Sequence, residues 1–166
     1  MTGTIHHIEI YVSDLQQTTL FWEWLLTDKF GYTKFQTWDC GISFKLADTY
    51  IVFVQTEKKH SDNSFNRKNT GLNHLAFHCH DRHFVDTLTK ELKDKNINIL
   101  YTDRHPFAGG DNYYAVFFED PDRIKVEVVA DNYEFLPLLV IQICHGGFGS
   151  PATAETKYQL IDKNFF

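Results

Sequence analysis

A chain of 166 residues, 43% of them hydrophobic and 23% charged, has the balance of one globular domain with a proper core and is short for two. Its net charge of −6, with no basic stripe carrying interleaved aromatics, excludes nucleic acid from the expected partners. The longest apolar run, Phe135 to Cys144, is too short for a bilayer, and the opening decapeptide lacks both a basic and a long apolar region, so neither membrane span nor signal peptide is expected.

In chain order, residues 5–10 alternate apolar and polar (Ile5-His6-His7-Ile8-Glu9-Ile10), as a half-buried strand does, and lead to Asp14, which is suited to cap a helix. That helix is expected over Leu15–Lys29, with Leu15, Thr19, Trp22 and Leu26 on one side and Gly31 as its stop. Strand-like segments follow at Tyr32–Trp38, Gly41–Leu46 and Tyr50–Gln55, and the polar stretch Glu57–Thr70 reads as a surface linker in the manner of a mobile lid. The opening pattern then recurs: His74 falls on His7, Leu75 on Ile8, Phe77 on Ile10 and Asp81 on Asp14, always at an offset of 67 (74 − 7, 81 − 14). A second helix is expected over Phe84–Asn96, with Phe84, Leu88 and Leu92 at i, i+4 spacing and Lys90, Lys93 and Lys95 in its final turns. Strands follow at Ile97–Thr102, Tyr113–Glu119 and Ile124–Ala130, the last hairpin closing through Asp120-Pro121-Asp122-Arg123.

The order β-α-β-β-β, twice over, is an α+β architecture: two βαβββ modules whose curved mixed sheets surround a concave pocket, with helices outside. Module one covers 4–56, the linker 57–70 and module two 71–131, together a domain over 1–131; residues 132–166 form an extension with no assigned role. Cys40, Cys79 and Cys144 stand far apart in odd number, which argues for buried thiols in a reducing compartment and hence the cytoplasm.

Strand alternation puts His7 and Glu9 on one face, His74, Ala76 and His78 on the matching face of the second copy, and Glu127 with Lys125 on the face opposite Ile124, Val126 and Val128. Two imidazoles and a carboxylate meeting in one hollow would make a His-His-Glu set with coordination positions left open. The alternative is that each histidine is a hydrogen-bonded core residue; their repeat-equivalence favours metal, because polar groups buried without a partner are costly. Glu9 reads as a general base or a solvated rim carboxylate, and His78 as a proton shuttle or a wall residue. Tyr113 shares parity with Ala115 and Phe117, so its phenol either meets a substrate oxygen or packs in the core. His6, His80, His83 and His105 read as structural or surface residues. The stretch Phe107–Tyr113 resembles a glycine-bearing loop over the pocket entrance, without the strand–loop–helix context of a phosphate loop.

The segments Ile5–Leu15, Gly71–Phe77 and Phe118–Val129 resemble the vicinal oxygen chelate superfamily, which includes glyoxalase I, bleomycin-resistance proteins, fosfomycin-resistance enzymes and extradiol dioxygenases. The resemblance, over residues 4–131, implies metal ligands on the first and last strands of each module: His7, His74 and Glu127. Sliding Phe44–Phe53 onto Phe118–Glu127 puts Phe53 at the fourth ligand position, with Gln55 a weak substitute two residues on, so a four-ligand glyoxalase I site is not expected. Three-ligand relatives remain open. Arg123 stands where relatives commonly have glycine. The resemblance thus implies an enzyme that uses a divalent ion (Zn, Ni, Mn or Fe) to chelate vicinal oxygens of a small-molecule substrate, with Glu9 or Tyr113 moving protons and Phe53, Gln55, His78 and Phe117 lining the pocket. The alternative is a metal-free protein that sequesters a flat compound, as bleomycin-resistance relatives do. Many such binders are dimers with pockets between subunits, so a homodimer is among the expectations.

Overall fold

The computed structural model describes residues 2–62 and 64–130; the expected extension over 132–166 lies outside the described residues. Strand β1 (His7–Val12) buries Ile10 and Val12 and exposes His7, Glu9 and Tyr11, as its alternation requires. Asp14 is extended and accepts a hydrogen bond from the Gln17 N–H at 3.0 Å, which starts α1 (Leu15–Trp22). The chain stays helical to Lys29, as expected, but residues Glu23–Lys29 wind as a π-helix, which no residue pattern announces. Trp22, Leu25 and Leu26 are fully buried along this continuous element, and it ends at Gly31, whose φ of +75° suits glycine. Strands β2 (Thr33–Trp38), β3 (Gly41–Leu46) and β4 (Thr49–Gln55) complete the first module.

The second module repeats the plan with β5 (His74–Cys79), α2 (Arg82–Asp94), β6 (Ile99–Leu100), β7 (Ala115–Glu119) and β8 (Lys125–Ala130). Asp81 caps α2 by accepting from Phe84 N–H at 2.8 Å. The sixth strand is two residues long, where sequence pattern suggests six. Tyr101 takes a left-handed φ of +56° and its carbonyl accepts from the Arg104 and His105 N–H groups, both at 2.9 Å, so the chain turns out of the sheet there. The two sheets have orders β1-β4-β3-β2 and β5-β8-β7-β6, each with one parallel pair, β1 with β4 and β5 with β8. The α+β architecture of two βαβββ modules is as expected.

The helix-bearing faces of the two sheets contribute to one apolar cluster that runs from Ile10, Trp22 and Phe53 to Phe118, Val126 and Leu88, while Val52, Ala115, Phe117 and Glu127 are buried on the opposite faces. Aromatic rings join the modules: Phe30 stacks on Phe77 with centroids 5.1 Å apart, and Trp22 lies 5.0 Å from Phe53 and 6.2 Å from Phe77. The linker is tied down: Arg67 pairs with nearly buried Glu119, its carbonyl accepts from Asn73 Nδ2 at 3.1 Å, and Phe65 packs against the core. Among the described residues no helix is long and apolar enough to cross a membrane.

Asp120, buried at the start of the β7–β8 turn, accepts from Trp22 Nε1 at 3.1 Å and from the Ile124 and Asp122 N–H groups at 2.8 and 2.9 Å. Burial pushes its pKa up to about 7, against the three donors that favour the charged form. The folded protein therefore keeps a proton on Asp120 that the unfolded chain releases near the ordinary value of 3.8. The stability this contributes is complete below that value and is lost as pH rises through about 7. Urea unfolding from pH 5 to 8 should show the wild type losing stability relative to Asp120→Asn, by on the order of a few kcal/mol across the window. Parallel pH profiles for the two proteins would contradict it.

Candidate functional site

The outward faces of the two sheets carry the candidate residues. On β8, Glu127 is 4% exposed and pairs in register with Ala76 of β5 on one side and Phe117 of β7 on the other. Tyr113 reaches it from the loop before β7, its hydroxyl donating to Glu127 Oε1. The neighbouring row holds His74, Lys125 and Glu119. The structure thus brings together His74, Glu127 and Tyr113, with Phe117 beside them. His74 Nε2 stands 3.0 Å from Glu127 Oε2.

The protonation of that pair follows from its neighbours. Asn73 donates through Nδ2 to the Arg67 carbonyl, which fixes the amide and turns Oδ1 toward His74 Nδ1 at 2.8 Å. An amide oxygen only accepts, so the network assigns the imidazole proton to Nδ1. Nε2 then faces a carboxylate oxygen with a lone pair. Two acceptors 3.0 Å apart repel unless a cation lies between them. A second proton on His74 could serve, but burial, followed by the Lys125 ammonium, holds its pKa below the usual histidine range despite the opposing pull of Glu127. Near neutral pH the imidazole is neutral, and the pair fits a divalent cation in the chemistry of its donors. A metal-bound histidine that gives its other N–H to a carbonyl oxygen has this arrangement.

The expected convergence of three ligands within the chain does not occur. Among the described residues no group of three or more His, Cys, Asp or Glu side chains could hold a metal ion. His7 and Glu9 lie exposed on the outward face of β1 in the other sheet, because the helix-bearing faces are the ones that meet. His7 stacks on Tyr50 with centroids 4.8 Å apart, and its Nδ1 is 2.9 Å from His6 Nδ1. In both modules, then, the residue just before the ligand candidate engages its Nδ1, His6 and Asn73 being themselves 67 apart (73 − 6). That preceding residue is the signal sequence reasoning passed over.

Two pocket expectations are corrected. Phe53 is fully buried against Trp22, on the helix-bearing face. The register pairs His7 with Tyr50 and His74 with Lys125, so the counterpart of Glu127 is Val52 (127 − 125 = 52 − 50). The second hairpin is one residue longer: Phe117 to its partner Glu127 spans ten, and Ser43 to Val52 spans nine. Sliding one over the other without that residue turns every side chain to the wrong face. Valine offers no metal donor either. Gln55 is spent locally: Oε1 accepts from Leu15 N–H at 2.9 Å and Nε2 donates to the Ser13 carbonyl at 2.8 Å, bracing the β1–α1 junction. His78 is exposed on the outward face of β5 and lines a cavity of about 550 Å³ with Ala76, Phe30, Tyr32 and Leu46.

A family model described as the Glyoxalase/Bleomycin resistance protein/Dioxygenase superfamily matches residues 4–128, and the chain belongs to that superfamily. It is similar to the uncharacterized protein YqjT of Bacillus subtilis (strain 168), with 52% identity over 126 residues, 76% of this chain and 98% of the relative. A crystal structure of a candidate glyoxalase from Bacillus halodurans is 56% identical, covers 78% of this chain and 96% of its own, and superposes with a TM-score of 0.76. The fosfomycin resistance protein FosX of Listeria monocytogenes, crystallised with Mn(II) and sulfate, shares the fold at 20% identity and a TM-score of 0.56, covering 81% of this chain and 97% of that one.

Tyr113 keeps its place because Gly109 has no side chain: a Cβ there would stand 2.3 Å from Tyr113 Cδ1. Gly109→Ala should drive the ring off Glu127 and destabilise the fold by roughly 1–3 kcal/mol, read by chemical denaturation and a crystal structure of the variant. An unmoved ring with unchanged stability would contradict this.

Proposed function

We propose that this chain is a divalent-metal-dependent enzyme acting on a small substrate with neighbouring oxygens, and that its metal site forms between two copies of the chain. The observation that carries the reading is the approach of His74 Nε2 to Glu127 Oε2 at 3.0 Å, which the Asn73 contact at Nδ1 makes a meeting of two acceptors. Two protein donors are one short of the three typical of catalytic divalent sites. His7 of a second copy is the proposed third. It is exposed, and its Nε2 makes no hydrogen bond among the described residues. Strands β1 and β5 are both open edges of their sheets, so each offers backbone groups to a partner strand.

The ion, when bound, would supply Lewis-acid polarisation of two substrate oxygens. Tyr113 would hold the Glu127 carboxylate through Oε1 and leave Oε2 for the ion. Glu9, one pleat along from His7, would enter the shared hollow with it and serve as the base that moves a substrate proton. His78 and Phe117 would wall the pocket. The FosX crystal contains Mn(II), which makes Mn(II) the first ion to try beside Zn, Ni and Fe. A cytoplasmic site of action suits the free thiols Cys40 and Cys79.

A metal-free binding protein is the second reading. It is favoured by the aromatic surface around His7, where Tyr50 stacks and Phe35 lies 5.4 Å from Tyr50.

Metal analysis of protein purified without chelator should give about one divalent ion per chain, lost in both His7→Ala and His74→Ala. Mixing the two variants through a cycle of dissociation should restore about a quarter of the wild-type sites, since half of a twofold dimer population is mixed and each mixed dimer has one intact site. Full metal content in His7→Ala, or none regained on mixing, would remove the shared site. A wild type that binds no divalent ion yet retains a small aromatic ligand would establish the second reading.

A further inference from the structure

The loop Ser64–Lys68 and the turn residue Arg123 enclose a pocket of about 330 Å³ whose lining includes neither His74 nor Glu127. Small-ligand pockets span roughly 300–1,000 Å³, so this one suits a compact group. Its walls are Ser64, Phe65, Asn66, Arg67, Lys68 and Arg123: three cations, a hydroxyl, an amide, one ring and no carboxylate. In a chain with 22 acidic and 16 basic residues, that lining reverses the average composition. Behind it, Glu119 takes Arg67 and lies 3.6 Å from Arg123 Nε, while Asn98 Nδ2 donates to the same carboxylate at 2.7 Å. Burial would raise the Glu119 pKa, but the Asn98 and Arg67 hydrogen bonds and the Arg67 and Arg123 charges outweigh it and hold the carboxyl below its usual range. One carboxylate against three cations leaves the pocket with a net charge near +2 (3 − 1).

The pocket is formed before any ligand arrives. Asn66 Oδ1 accepts from Lys68 N–H at 3.0 Å and the Asn66 carbonyl from Asn69 N–H at 2.9 Å, which fixes the loop's turn. The Arg67 carbonyl is held by Asn73, and Phe65 anchors the loop to the core. Ligand binding therefore spends little on ordering. Arg123 adds a second, independent sign. It sits at a φ of +67°, a left-handed conformation that costs a non-glycine residue roughly 1–2 kcal/mol. Glycine would relieve that strain, and its side chain's weak, exposed contact with Glu119 returns little in stability. Strain kept at a cation on a pocket wall points to use.

We propose that this pocket is an oxyanion subsite for a phosphate-class dianion, either free or carried on a small organic molecule. Two guanidiniums and an ammonium around one cavity suit a ligand with two charges and several acceptor oxygens. The proposal does not rest on the metal reading. Calorimetric titration of the full chain, dialysed free of divalent ions and held at constant ionic strength, would use inorganic phosphate, glycerol phosphate and chloride. Phosphate should bind saturably, and the double variant Lys68→Gln/Arg123→Gly should weaken it by roughly tenfold or more while unfolding no earlier than wild type. His74→Ala should bind phosphate as wild type does. Tighter binding of glycerol phosphate assigns the site to a carried group, and equal binding to the free ion. Heat from phosphate that only matches chloride, or undiminished binding in the double variant, overturns the proposal.

Discussion

The site turns on a hydrogen-bond assignment two residues deep. Asn73 can offer only an oxygen to His74 because its amide nitrogen is committed to the Arg67 carbonyl. That commitment puts the imidazole lone pair against a carboxylate in a half-buried setting. An unsatisfied polar pair of this kind costs roughly 1–3 kcal/mol. Proteins retain such a cost where a ligand removes it. The linker is therefore part of the site, since the loop that presents Arg67 to Glu119 also sets the proton on His74.

The packing of the core explains why His7 and Glu9 lie apart from His74 and Glu127. Each βαβββ module has one apolar face covered by its helix, and the apolar faces are brought together by Trp22, Phe30, Phe77 and Phe118. Burying a large aromatic side chain is worth roughly 1.5–3 kcal/mol, so this arrangement takes precedence over any gathering of polar ligands. The opposite faces carry the site candidates, one with exposed His7 and Glu9, the other with half-buried His74 and buried Glu127.

Much of this was legible in the residues. The offset of 67 located both histidine strands, both Asp caps and the order of elements, because alternation and capping are local and survive any tertiary context. The face of Glu127 was legible from parity along one strand, which is equally local, whereas Tyr113 meets Glu127 from the loop before β7, where strand parity does not apply. Errors arose where one residue of length mattered or where packing decided. The hairpin of module two is longer by one residue, and nothing in the apolar pattern around Phe44–Phe53 marks the difference, so Phe53 was turned outward when it belongs against Trp22. Gln55 was lost to a local hydrogen-bonding role that strand parity does not reveal. The separation of His7 from His74 depends on which faces the aromatic rings join, a long-range choice that period-2 alternation leaves open.

Nitrogen-15 NMR of His74 at neutral pH tests the central claim most directly. In metal-free protein the account predicts a neutral ring protonated at Nδ1, with Nε2 in the unprotonated, pyridine-like shift range. Added Zn²⁺ should then move the Nε2 signal while Nδ1 keeps its proton. A ring protonated at Nε2, or doubly protonated at pH 7, would mean that a proton already joins His74 to Glu127 and that the pair has no need of a metal ion.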